Sequence, residues 1–255
     1  ANKYGEIETL GPVAHNHLLV ETLANAGIKP VHRLDQIQGK ILAITTHGTS
    51  PAVLSQLKAR DIHLLDATCP IVRKAQNTAK ELAQAGFAVI IFGEAEHSEV
   101  KGLLGWTGDK GIAALNIGQL HSWGKSASRL GIISQTTQTR TAFIEFVRQL
   151  VSLLGSKTKE IRILNTLCQV TQRQQEAALR LARRTELMIV VGGTNSANTR
   201  RLVEICSPLV ETHLVETAEE VDNSWLFGKH HIGLTAGAST LDEAIEEVVA
   251  KLESL

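Results

Sequence analysis

The chain has 255 residues, enough to bury a sizeable core as one large domain or as two to three small ones. Lys and Arg together number 26, as do Asp and Glu, and aromatics are only 4%, so no overall field points to nucleic acid or an anionic membrane and a base-stacking surface is disfavoured. The first residues carry no signal-peptide pattern, no apolar run reaches bilayer length, and three cysteines without C-x-x-C spacing make no disulfide framework, which together predict a reducing, cytoplasmic setting.

Along the chain, short apolar runs rich in β-branched residues alternate with amphipathic stretches of helical length. "KILAITT", "FAVIIFG", "RLGIISQ", "EIRILNT", "ELMIVVGG" and "HHIGLTA" read as buried parallel strands. Between them "RKAQNTAKELAQAG", "QQEAALRLARR", "TRRLVEIC" and "LDEAIEEVVAKL" place apolar residues three and four apart, as helices do. That alternation predicts an α/β fold with small parallel sheets.

The layout also repeats. "AITTHGTSPAVLSQL", "GIISQTTQTRTAFIEFV" and "IGLTAGASTLDEAIEEV" each run strand, polar turn, helix. "TLGPVAHNHLLVETL", "FGEAEHSEVKGLLGW" and "VGGTNSANTRRLVEI" form a second set, and the segments around Cys69 and Cys168 form a third with two members. A period of roughly 80 to 100 residues implies three similar α/β units, drawn here at 1–68, 69–166 and 167–255, the first lacking its N-terminal element. From Cys69 to His97 is 28 positions, and from Cys168 to Asn195 is 27. Counting 28 back from His15, the equivalent of His97, reaches position −13, so a third cysteine is expected upstream of Ala1.

In open α/β units ligands bind beyond the carboxyl ends of strands, where helix N-termini also point. Nearly every such turn here is polar: His15 and Asn16; Thr46 and His47; Asp66, Thr68 and Cys69; His97 and Glu99; Thr136 and Thr137; Asn165, Thr166, Cys168 and Thr171; Asn195, Ser196 and Asn198; Ser239 and Thr240. Ordinary helix caps use the same residue types, so it is their joint placement that points to one shared site. Met singly, a cysteine is a small buried hydrophobe. The matched positions of Cys69 and Cys168 favour metal ligation instead, and their wide spacing suits an iron–sulfur cluster better than a zinc knuckle. Cys206, four residues after Leu202 on a helix, reads as core. His15, His47 and His97 could ring an anion, Glu99 beside His97 is a candidate proton donor, and "GGTNSANT" has the form of a phosphate-cradling turn.

"TLGPVAHN", "THGTSP", "DATCP", "EHSEVKG", "SQTTQ", "NTLC", "VVGGTNSANTRRL" and "GLTAGAST", in this order, resemble the 4-hydroxy-3-methylbut-2-enyl diphosphate reductase family of the non-mevalonate isoprenoid pathway. The resemblance implies three αβα units arranged pseudo-three-fold around a central 4Fe–4S cluster. It assigns Cys69 and Cys168 as two cluster ligands, with a third in a Gly-Phe-Cys segment preceding Ala1. It places His15, His47, His97, Thr136, Thr137, Asn195, Ser196, Asn198 and Ser239 on a diphosphate substrate and its hydroxyl, and Glu99 in proton delivery. A ferredoxin or flavodoxin is the implied electron donor, with no nucleic-acid or membrane partner. The chain departs from the family pattern at Gln76, Ser98, Val170, Gln174 and Ala197. A cluster-free relative that binds a phosphorylated small molecule is the alternative.

Overall fold

The computed structural model describes residues 5–120, 127–154 and 158–254. It is an α/β fold with three small sheets, as the alternating pattern predicts. The first contains β1 (Ile7–Leu10), β2 (Ile28–Val31), β3 (Ile41–Ile44) and β4 (His63–Asp66) in the order β2-β1-β3-β4. The second contains β5 (Ala88–Phe92), β6 (Gly111–Ala114), β7 (Arg129–Ser134) and β8 (Glu160–Ile163) in the order β6-β5-β7-β8. The third contains β9 (Leu187–Val191), β10 (Thr212–Val215) and β11 (Ile232–Ala236) in the order β10-β9-β11. The ladders β1/β3, β3/β4, β5/β6, β5/β7, β7/β8, β9/β10 and β9/β11 are parallel. The helices between strands are α1 (His17–Asn25), α2 (Pro51–Lys58), α3 (Pro70–Gln84), α4 (Ser98–Thr107), α5 (Arg140–Leu153), α6 (Gln169–Ala182) and α7 (Ala197–Cys206), and α8 (Asp242–Glu253) follows β11.

By compactness the chain divides into two units: residues up to Gly11 with Lys29–Cys168, and Pro12–Ile28 with Gln169–Leu255. The first unit carries the first two sheets, and the second carries the third sheet and α1.

In the first unit the pleat of β5 separates two apolar layers. Val89 and Ile91, with Ile133 of β7, pack against Ala75, Ala79, Leu82 and Ala83, which lie three and four apart on α3. Ile90, Phe92, Leu130 and Ile132 face the other way, toward Phe143, Phe146 and Leu150 of α5. Burying each Val, Leu, Ile or Phe side chain among these contributes about 1.5–3 kcal/mol. Helix α3 is well bounded. Pro70 occupies its first position, where no N–H is needed. At its end Gly86, at φ +85°, and Phe87 return N–H bonds to the carbonyls of Ala83 and Leu82, a Schellman closure that aims the chain into β5. In the second unit all five residues of β9 are buried, and Met188 and Val190 meet Leu202 and Cys206 of α7.

Two strands differ from expectation. "EIRILNT" and "HHIGLTA" read as buried, but β8 and β11 are outermost strands of their sheets, with Ile161 37% and Ile163 49% exposed and only Gly233 buried in β11. β8 pairs with β7 alone and β11 with β9 alone, so their apolar residues have a neighbour on one side only. No described helix is long and apolar enough to cross a membrane.

Candidate functional site

The same turn is built at the carboxyl end of each sheet. The N–H of the first residue past the strand bonds the neighbouring strand's last residue or its equivalent. Thus Gly11 donates to Val31 O (2.8 Å), Gly93 to Ala114 O (3.1 Å) and Gly192 to Val215 O (2.8 Å). A second turn closes beside it: Gly48 N–H donates to Thr45 O (3.0 Å), Gln138 N–H to Gln135 O (3.2 Å) and Thr240 N–H to Gly237 O (3.0 Å). These bonds give the repeat a register that residue types alone leave loose. His97 caps α4 and Ser196 caps α7, so Ser196, not Asn195, is the counterpart of His97. The spacing from each cysteine is then 28 in both cases. Asn195 and Ser196 are both good cap residues, and only the cap bond from Thr199 N–H to Ser196 Oγ (3.3 Å) separates them.

The two cysteines occupy matching positions in the first unit. Cys69 N–H donates to Thr46 O (3.0 Å) and Cys168 N–H donates to Thr136 O (2.9 Å). Each therefore hangs from the residue two past the end of a strand, at the start of α3 and α6 respectively. Both are half-buried, and neither is in a disulfide. Cys206 differs: it is fully buried among Ala178, Ala182, Met188, Val190 and Leu202, and burial pushes its thiol pKa up. Apolar burial disfavours the thiolate that a metal needs, so Cys206 does not suit as a ligand, whereas the donor set of Cys69 and Cys168 fits an iron–sulfur centre.

Glu99 is the second residue of α4 and only 2% exposed. Both its oxygens are held by one residue. Thr136 N–H donates to Oε1 (2.7 Å) and the Thr136 hydroxyl donates to Oε2 (2.8 Å). Desolvation raises its pKa from 4.5 to about 7, against the lowering effect of those two bonds. The result is a carboxyl that holds or gives up a proton near neutrality. The Glu99 N–H in turn donates to His97 Nδ1 (3.2 Å), and the His47 ring stands edge-on to His97 with centroids 5.4 Å apart. Thr137 accepts at Oγ1 from Gln135 Nε2 (3.3 Å). Gln135 Oε1 accepts from Glu94 N–H (3.1 Å) and Gln138 Nε2 (3.3 Å), fixing the loop that carries Thr136.

In the second unit Asn198 stands at the same helix position as Glu99. Its Nδ2 donates to Gln174 Oε1 (3.0 Å), and Gln174 Nε2 donates to the carbonyl of Ala236. A carbonyl can only accept, so it sets Gln174's orientation, and Gln174 sets Asn198's. Asn198 Oδ1 and Thr199 Oγ1 are buried with no hydrogen-bond partner, the mark of a polar turn built for a ligand or water. A Cβ added at Gly193 would lie 1.9 Å from His15 O, and one at Gly237 2.2 Å from Thr199 Oγ1, so glycine permits the close approach at both places. His15 precedes the cap residue Asn16, and burial, then Arg200, lower its pKa. Ser239 lies in the turn between β11 and α8.

The predicted residues thus sit at strand ends in two sets. The first unit holds His47, Cys69, His97, Glu99, Thr136, Thr137 and Cys168; the second holds His15, Asn195, Ser196, Asn198 and Ser239. Thr199, Gln135 and Gln174 escaped the sequence reading as site residues. Gln174 lies on a helix with no turn signal near it, and its partners are 24 and 62 positions away.

The LytB protein family model matches residues 1–253. A Dehalococcoides mccartyi protein named 4-hydroxy-3-methylbut-2-enyl diphosphate reductase is 44% identical over 255 residues, covering 100% of this chain and 90% of its own. A Geobacter sulfurreducens protein of the same name is 38% identical over 254 residues, covering 99% and 88%. A solved structure described as (E)-4-hydroxy-3-methyl-but-2-enyl diphosphate reductase, the terminal enzyme of the non-mevalonate pathway, superposes with a TM-score of 0.70 at 34% identity over 99% of this chain and 89% of that one. The reductase structure from Plasmodium falciparum shares the fold, with a TM-score of 0.90 at 24% identity over 97% of this chain and 78% of that one. With its strand-end turns, its register and a family match from end to end, the chain belongs to the LytB protein family.

Proposed function

We propose that this chain is a 4-hydroxy-3-methylbut-2-enyl diphosphate reductase, which removes the allylic hydroxyl as water and yields isopentenyl and dimethylallyl diphosphate. The observation that carries the reading is Glu99: a buried carboxyl titrating near neutrality, clasped through both oxygens by Thr136, in a chain that resembles such reductases over its whole length. The reaction consumes two electrons and two protons: one proton leaves with the hydroxyl, and one ends on the allyl carbon. An iron–sulfur cluster held by Cys69 and Cys168 among its ligands would supply the electrons and a Lewis-acidic iron for the hydroxyl.

The chain's own residues supply the rest. Glu99 releases its proton toward the departing hydroxyl, and the Thr136 N–H and O–H stabilise the carboxylate left behind, so its loss of charge neutrality in a buried place is offset by two donors. Thr137, three residues past the end of β7, is assigned to the same hydroxyl. Ser196 and Asn195 at the start of α7, Asn198, Ser239 and the imidazoles His15, His47 and His97 are assigned to the diphosphate, where neutral donors and helix N-termini favour negative charge. Donors fixed in a water-poor setting need no reorganisation as charge develops. An external one-electron protein, a ferredoxin or flavodoxin, is the proposed reductant.

Iron and acid-labile sulfide analysis after anaerobic purification tests the cofactor assignment. Thiolate-to-iron absorbance that falls in both Cys69→Ser and Cys168→Ser supports it; iron content unchanged in both variants overturns it.

A further inference from the structure

The turn that carries His47 is held by two helices through one oxygen. The carbonyl of Thr49, two residues past His47, accepts from the indole Nε1–H of Trp106 on α4 at 3.0 Å. Gln76 Nε2 of α3 donates to the same oxygen at 3.5 Å, from a side chain only 2% exposed. A carbonyl oxygen has two lone pairs, so it accommodates both donors. The fit is close on each side. Gly48, at φ +68°, lies so near Gln76 that an added Cβ would stand 2.3 Å from Nε2. On α4 a Cβ added at Gly105 would stand 2.3 Å from Ser50 Cβ, so glycine lets the segment rest directly on the helix. Trp106 is the next residue of that helix. The backbone ties the turn only before Thr49, where Gly48 N–H donates to Thr45 O (3.0 Å), and α2 begins after it, with Val53 N–H donating to Ser50 Oγ (3.3 Å). Trp106 and Gln76 come from 57 and 27 positions away, and Gln76 is one of the places where the chain departs from the family pattern.

We propose that Trp106 and Gln76 are positioning residues: by clamping the Thr49 carbonyl they fix the backbone that aims His47, so that a ligand anion meets a preset imidazole. This rests on the reading of His47 as a diphosphate contact and deepens it by naming what orients that contact. A side chain on a turn with several backbone conformers binds only from the competent fraction, and affinity falls by that fraction. Clamping the carbonyl orders the turn before the ligand arrives, so binding does not bear that cost. Both donors hold the backbone, and neither side chain ionises. They therefore act on where His47 stands and not on the proton it carries.

Carbon-13 NMR of the histidine-labelled full chain reports on each of its ten imidazoles, and His47 is assigned by the signal lost in His47→Asn. Trp106→Phe keeps a ring and removes the N–H, and Gln76→Leu keeps the bulk and removes the amide. Each should shift or split the His47 signal and weaken inorganic diphosphate binding about threefold to tenfold, the loss of one hydrogen bond. Lys80→Met removes the ammonium that stands 5.6 Å from the centre of the Trp106 ring but leaves the indole N–H in place, and should change neither reading. An unmoved His47 signal in Trp106→Phe overturns the proposal; should that variant not fold, Gln76→Leu decides by the same reading. An unmoved signal in Gln76→Leu alone strikes Gln76 from the pair. A lowered unfolding midpoint with diphosphate affinity like the parent's makes the bond structural only and overturns the positioning role. A response to Lys80→Met as large as that to Trp106→Phe also overturns it, because the N–H is then not what holds the turn. If the parent binds no diphosphate, the pocket reading fails, and the His47 signal decides the clamp by itself.

Discussion

Replacing Glu99 with glutamine should make the protein more stable at alkaline pH while removing its activity. The side chain is 2% exposed and its pKa is raised from 4.5 to about 7 by desolvation. Because the folded state holds this proton more tightly than the unfolded state, the native protein is favoured by low pH. The contribution is fully present below about pH 4.5, declines as the unfolded chain ionises, and is gone above about pH 7, where the folded carboxyl must also ionise. At one pKa unit per 1.36 kcal/mol the whole swing is about 3 kcal/mol. Glutamine has nearly the same shape and never ionises. Its oxygen still accepts from Thr136 N–H, and its amide can donate to the Thr136 hydroxyl once that rotates, so both contacts survive. Urea unfolding of parent and Glu99→Gln from pH 4.5 to 8.5 should show curves that coincide at the acid end and separate by about 3 kcal/mol in the variant's favour at the other. A variant that is never the more stable of the two, or a gap that does not widen with pH, would refute the buried-carboxyl argument.

Cys206→Ser should lower the unfolding midpoint, since it places a hydroxyl in the apolar layer of Met188 and Leu202, yet leave iron content unchanged; an iron loss would make Cys206 a ligand after all. Gln174→Leu should strip the Ala236 carbonyl and Asn198 Nδ2 of their partners, costing about 1–3 kcal/mol by thermal or urea unfolding, and should free the Asn198 amide to turn. Diphosphate affinity unaltered in that variant would remove Gln174 from any part in orienting Asn198.

Much of this fold is legible in the sequence because its central strands are buried on both faces. β5, β7 and β9 read as continuous apolar runs and are so in the structure. Of the strands that show no such run, β1 ("IETL") lies inside its sheet but alternates buried and half-buried residues, whereas β2 ("IKPV"), β4 ("HLLD"), β6 ("GIAA") and β10 ("THLV") are four-residue edge strands, partly exposed and carrying proline, glycine or a polar residue. Edge strands have one neighbour and need no apolar run, which also explains why the apolar "EIRILNT" misled in the opposite direction. At the site, spacing found the polar strand ends and paired Cys69 with Cys168, since one turn recurs in each sheet. It could not find the clasp of Glu99 by Thr136, 37 positions away, nor the chain of amides through Gln174, because contacts across strand ends leave no period in the sequence.

The most direct test of the central claim is anaerobic turnover of the holoprotein with 4-hydroxy-3-methylbut-2-enyl diphosphate and a low-potential one-electron reductant, with products separated and quantified. The account predicts isopentenyl and dimethylallyl diphosphate together, and none from Glu99→Gln carrying the same iron content. Iron-loaded parent protein that binds the substrate but releases neither product, or a Glu99→Gln variant that turns over as the parent does, would contradict it.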